Sequence, residues 1–274
     1  MTRILFVILI FRTSAGAAQG QDAVRDTASA KSLSEIICSD SRDFIDCISL
    51  RFRETTHPDG TSLLTAGIAA GTAASLFFAD QSVRTIAARN HSHLSDDVLN
   101  ITEQYGATED AIILSGSIYG AGLVLGTPEI RKTGTMLMES LLWTGVVTTV
   151  IKYTFGRARP YMNKGNVRFQ GIQFSDDFLS FPSGHAAVAF TLSSVLSKRI
   201  NNTAASIGLY TLAGLTGAAR IYHDQHWLSD VFLGAVIGTS VGTAVVRDDD
   251  EKSSNHISTR IFLLPNGFGF AMEF

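Results

Sequence analysis

Six stretches of the chain are almost devoid of charge: residues 61–79, 111–127, 133–151, 183–197, 200–219 and 231–246 together hold 106 residues and one charged side chain, Glu139. Each is 15 to 20 residues long, the order needed to span a bilayer once flanking side chains adjust. They are rich in Gly, Ala, Ser and Thr, as in AGIAAGTAAS, SGSIYGAGLVLG and GAVIGTSVGTAVV. An interior Gly costs a water-exposed helix about 1 kcal/mol relative to Ala, whereas small residues let membrane helices approach closely. The pattern predicts an all-α fold, a six-helix antiparallel bundle embedded in a membrane. A soluble, Ala-rich helical bundle in the periplasm is the competing reading.

Composition sharpens this contrast. The whole chain of 274 residues is 45% apolar and 17% charged with a net charge of −3, and the 168 residues outside the six stretches carry the other 46 charges. Those connections have ordinary soluble composition, which argues against disorder, and the balanced charge argues against a nucleic-acid partner. Four parts are expected: a signal peptide over 1–18, a polar segment over 19–60, the helical domain over 61–247, and an acidic linker with a hairpin over 248–274.

The signal peptide rests on Arg3, the apolar run Ile4 to Phe11, and the small residues Ser14 to Ala18, a charged start, short core and cleavage zone. Eight apolar residues are too few to span a bilayer, which takes about 20. Export permits a disulfide between Cys38 and Cys47, although two reduced thiols fit the spacing as well. In the tail, the acidic run Asp248 to Glu251 reads as a solvated linker, and Ile261 to Leu264 with Gly267 to Phe274 as a small β-hairpin. Between the first two apolar stretches, Asp80 to Asp110 reads as amphipathic helix and loop. Leu94, Val98, Leu99 and Ile101 there pack on the bundle or lie at an interface, and His91 and His93 read as solvated loop residues.

Three short clusters carry the candidate chemistry. In KYTFGRARP, Lys152 closes the third stretch and Arg159 stands before Pro160, where the helix must end. In FPSGHAAVAF, Ser183 is an N-cap candidate, Gly184 permits close backbone approach, and His185 sits in the first helical turn, where unpaired amides favour anions. In ARIYHDQHWLSD, Arg220 precedes His226 and Asp230, whose spacing of four would place them on one helical face with the carboxylate holding one imidazole nitrogen. His223 and Asp224 compete in the same loop. Alternating antiparallel helices bring all three clusters to one end. Three cations, a helix N-terminus, two histidines and a carboxylate there suit a phosphate or another tetrahedral oxyanion.

These clusters match, in order, KxxxxxxRP from Lys152 to Pro160, PSGH from Pro182 to His185, and SRxxxxxHxxxD from Ala219 to Asp230, with Ala219 standing where Ser is usual. The chain therefore resembles the type 2 phosphatidic acid phosphatase (PAP2) superfamily over about Thr61 to Val246. Bacterial nonspecific acid phosphatases and vanadium haloperoxidases belong to that group. The resemblance implies a PAP2-type bundle in which His226 attacks phosphorus, Asp230 orients it, and His185 protonates the leaving oxygen and later activates water. Lys152, Arg159 and Arg220 would neutralise the phosphoryl oxygens with help from Ser183 and Gly184. It further implies that no metal or other cofactor is needed and that vanadate binds as a phosphate mimic.

The expected partners are a membrane and a phosphorylated lipid or polyprenyl pyrophosphate substrate. A soluble periplasmic acid phosphatase and a vanadium-dependent haloperoxidase are the alternatives. Arg131 and Lys132, with Lys198 and Arg199, lie at the turns opposite the clusters, which directs the active site out of the cytoplasm of a bacterial envelope. A cleaved signal peptide conflicts with a full span at 61–79 in that orientation.

Overall fold

The computed structural model describes residues 32–56, 60–255, 258–264 and 267–273, so the expected signal peptide lies outside the described residues. Eight α-helices form among them: α1 (Leu33–Thr56), α2 (Gly60–Arg89), α3 (His93–Gln104), α4 (Thr108–Val124), α5 (Pro128–Phe155), α6 (Gly184–Ile200), α7 (Thr203–Tyr222) and α8 (Leu228–Asn255). The six charge-poor stretches are the bodies of α2 and α4 to α8. The expected count of six is corrected by α1 and α3, which come from polar segments without a long apolar run. Strands β1 (Ser258–Leu264) and β2 (Gly267–Glu273) pair antiparallel at the end of the chain.

One further expectation changes, and one alternative left open is decided. The acidic run is no linker, because α8 continues through it to Asn255 and Asp249 pairs with Lys132 at 2.7 Å. Cys38 and Cys47 form no disulfide. Both lie on α1, where nine positions of helical rise separate them by about 13.5 Å, far beyond the reach of a bridge.

Local chemistry sets the helix ends. Pro128 opens α5, and Gly156 ends it in the left-handed conformation at φ 55°, where a side chain would be strained. Asn201, also left-handed, stops α6, and Asn202 caps α7 by accepting from the Ala205 amide at 3.0 Å. Helix α3 is capped by Ser92. Its polar side is held on α7, where the Thr216 hydroxyl donates to the Thr102 carbonyl at 2.7 Å and the Tyr222 hydroxyl to Asp96. Its other side leaves Leu94 and Ile101 exposed.

The core lies among α4, α5, α6 and α8, with Leu137, Leu192, Val195 and Val245 almost wholly buried. Helices α6 and α8 meet along Gly234, Gly238 and Gly242, where a methyl group would collide with the carbonyls of Ser183, Ala187 and Thr191 respectively. The small-residue pattern thus has a specific use: it brings the start of α8 against the start of α6, and so Asp230 against Ser183. The Ser183 amide donates to the Asp230 carbonyl at 2.9 Å.

Three helices are long and apolar enough to cross a membrane: Leu63–Arg89, Pro128–Phe155 and Leu228–Asp250. On the first, Leu64, Ile68 and Phe78 are exposed, Phe78 at 91%, a face suited to lipid rather than water. Between α2, α5 and α8 runs an apolar groove of about 910 Å³ that ends against Phe77, Phe155, Phe169 and Phe181.

Candidate active site

The clusters do converge at one end of the bundle. Lys152 lies in the last turn of α5, Ser183 caps α6, Arg220 is in the last turn of α7, and His226 and Asp230 flank the start of α8. The Lys152 ammonium donates to the Leu179 carbonyl at 2.5 Å, and its Cε would lie 3.8 Å from a Cβ placed on Gly184. Ser183 is fully buried and caps α6 by accepting from the Ala186 amide at 3.4 Å. Arg159 donates through Nε to the Asp176 carbonyl at 2.8 Å and through Nη1 to Gln225 at 3.0 Å. Arg220 is buried and pairs through Nη1 with Glu103.

His226 differs from the expected helical arrangement. It precedes α8 by two residues, so the spacing of four does not bring the carboxylate onto the ring as it would within a helix. The Nδ1 atom instead lies 2.7 Å from the Ser180 carbonyl and 3.7 Å from Asp230 Oδ2. A carbonyl only accepts, so Nδ1 carries the proton and Nε2 of the neutral ring holds an unprotonated lone pair. Asp230 acts at one remove: it accepts from the Ser180 hydroxyl and, at 2.8 Å, from the Trp227 amide, fixing the segments on both sides of the ring. The Trp227 contact is the backward-reaching half of a capping box.

Sequence reading missed the residue that holds Asp230. Arg157, two positions before Arg159, is wholly buried and donates to Asp230, to Asp80 at 2.6 Å, to the Ser229 hydroxyl at 2.7 Å and to the Asn166 carbonyl at 2.9 Å. Its guanidinium lies 4.4 Å from the Phe77 ring centroid and within reach of Phe169, Phe181 and Trp227, a cation–π enclosure. Asp80 accepts from the Ser229 amide at 2.9 Å, which ties the end of α2 to the start of α8. The available signal was Asp80 itself, a lone carboxylate directly after nineteen uncharged residues; buried there, it needs a cationic partner.

Electrostatics couple the two imidazoles to the same cations. Burial, then the charges of Lys152, Arg159 and Arg220, hold His226 well below the ordinary imidazole value, against the pull of the Ser180 carbonyl. Burial, then Lys152 and Arg159, lower His185 as well, with Glu109 opposing. Both rings are therefore neutral bases in the resting site at neutral pH. The competing loop residues point elsewhere: His223 Nδ1 meets Glu103 at 2.6 Å, and Asp224 pairs with Arg84 at 2.6 Å. His91 is exposed and stacks on Tyr222 at 3.9 Å.

Comparison with known proteins finds relatives over the part of the chain that holds this site. Residues 133–253 match the family model described as the PAP2 superfamily. Lipid A 1-phosphatase of Porphyromonas gingivalis is 31% identical over 147 residues, which cover 52% of this chain and 28% of that protein. Lipid phosphate phosphatase 1 of Arabidopsis thaliana is 32% identical over 139 residues, 40% of this chain and 42% of that one. The chain thus spans less than half the length of these curated relatives. The solved structure of the first transmembrane PAP2 type phosphatidylglycerolphosphate phosphatase from Bacillus subtilis superposes with a TM-score of 0.51 at 22% identity, over 67% of this chain and 93% of that one, a likeness of fold. The segment that is similar to the PAP2 superfamily contains all three clusters, from Lys152 to Asp230.

Proposed function

We propose that the protein is a phosphatase that removes the phosphate group of a membrane lipid through a phosphohistidine on His226, without a metal ion. The observation that carries this reading is the contact of His226 Nδ1 with the Ser180 carbonyl, which leaves the lone pair on Nε2 of a ring that feels the charges of Lys152, Arg159 and Arg220. In the first step Nε2 attacks phosphorus while the bond to the leaving oxygen breaks, and the conjugate acid of His185 gives that oxygen a proton. In the second, neutral His185 takes a proton from water, which displaces His226 and releases phosphate. The three cations, with Ser183 and the Gly184 amide, counter the charge that gathers on the phosphoryl oxygens. Asp230 stabilises the positive charge that develops on the imidazole from 3.7 Å.

A lipid substrate is supported by the three membrane-capable helices and by relatives named for lipid phosphates. A phosphomonoester lipid and a polyprenyl pyrophosphate present the same terminal phosphoryl group to this site. The basic turns at Arg131, Lys132, Lys198 and Arg199 favour the cytoplasmic side for the opposite end, so the site faces the periplasm of a bacterial envelope. The test is phosphate release by the purified protein from phosphatidate, a polyprenyl pyrophosphate and a small aryl phosphate. Release from the lipids in excess EDTA is expected, with turnover abolished in His226→Ala. A marked preference for the aryl ester overturns the lipid assignment, and strict magnesium dependence overturns the mechanism.

A further inference from the structure

Arg220 stands apart from the other buried cation of this region. Its side chain is 10% exposed, its Nη1 is held by Glu103 of α3, and its Nε is buried with no hydrogen-bond partner among the described residues. An unsatisfied buried donor on a charged group is costly, and a guanidinium presents Nε and Nη2 along one edge, the geometry that grips two oxygens of a phosphate. With Nη1 engaged, that edge is the part of Arg220 left for a ligand. The carboxylate is itself held: its second oxygen meets His223 Nδ1 at 2.6 Å, and the adjacent Thr102 carbonyl is fixed to α7 by Thr216.

We propose that Glu103 is a positioning residue for phosphate binding: by holding Nη1 of Arg220, it turns the Nε–Nη2 edge toward the phosphoryl oxygens, and His223 keeps the carboxylate in place. This rests on the phosphatase reading above. A carboxylate beside a phosphate site also repels the anion, so two effects of opposite sign meet in this residue. Glu103→Gln removes the charge but keeps an oxygen that accepts from Nη1. Glu103→Ala removes both, and Glu103→Asp withdraws the carboxylate by one methylene.

The experiment measures binding of orthovanadate, as the phosphate mimic, to the purified full-length chain by calorimetry, beside a melting curve for every variant. Glu103→Ala is expected to weaken binding about tenfold or more, and Glu103→Gln to stay within about threefold of the parent, as loss of one positioned charged hydrogen bond implies. Combined with Arg220→Ala, the Glu103→Ala change should add no further loss, because it acts through the guanidinium. Kinetically the Glu103→Ala loss should appear in KM more than in kcat. If the alanine variant does not fold, Glu103→Asp is expected to show the weaker binding in its place. Tighter binding in both Glu103→Ala and Glu103→Gln would make the carboxylate a competitor of the anion and overturn the proposal. Unchanged affinity with only a lower melting temperature would make it a brace, and additive losses would place its action outside Arg220. Absence of vanadate binding by the parent protein would instead remove the phosphatase reading on which the proposal rests.

Discussion

Arg157 and Arg220 are both buried, and the protein surrounds them in opposite ways. Arg157 donates to two carboxylates, a hydroxyl and a carbonyl, and aromatic rings enclose it. Arg220 has one carboxylate partner and keeps a buried Nε unpartnered. A cation whose donors are all matched in the resting protein has nothing left for a ligand, and it works by fixing what it touches. One left under-matched is destabilised until an oxyanion arrives, and that deficit can favour binding. The same contrast separates the two carboxylates, since Asp230 anchors loops around His226 while Glu103 aims a side chain.

Removing the matched cation should have the larger effect on folding. Arg157→Ala leaves Asp80 and Asp230 buried without their counter-ion and is expected to cost about 3–5 kcal/mol in denaturant unfolding; a loss below about 1 kcal/mol would dissolve the distinction. Arg220→Ala should cost less stability than Arg157→Ala, because it also removes a buried unpartnered Nε and leaves Glu103 its contact with His223, yet raise KM for the lipid roughly 10- to 100-fold, the worth of a charged hydrogen bond. An unchanged KM would return Arg220 to a structural role.

The smaller predictions concern pH. Catalysis needs His226 neutral and His185 protonated, and both are lowered from 6.5. The alkaline fall in kcat/KM should therefore lie below pH 6.5, and it should vanish in His185→Ala with whatever activity remains. For stability, a depressed histidine means that the unfolded chain binds the proton more readily. Stability is then full above the unfolded value of 6.5 and declines as pH drops toward the lower folded value. In His226→Ala that part of the acid sensitivity should be lost, as read by melting temperature across the range.

The contrast between the two arginines also marks how far the sequence could be read. The bundle was legible because charge-free runs of 15 to 20 residues have few other solutions, and the convergence of Lys152, His185 and His226 followed from alternating helix directions. Helices α1 and α3 were not, because their stability comes from docking through Asp40 and Thr102 to partners far away in the chain. The His226–Asp230 relation was misjudged for a local reason: α8 begins at Leu228, so helical periodicity does not apply across the pair. The string GRARP singles out Arg159 by its place before Pro160 and gives no sign of what Arg157 does. The role of Arg157 is set by burial and partners, among them Asp80, 77 positions earlier in the chain.

In the proposed mechanism His226 carries the phosphoryl group. The decisive experiment is to quench the purified protein during turnover of a lipid labelled with radioactive phosphate and to locate the label by mass spectrometry. A base-stable, acid-labile label is expected on His226, absent from His226→Ala and accumulating in His185→Ala, whose second step is slowed. A label on another residue, or full turnover by His226→Ala with no covalent species, would contradict it.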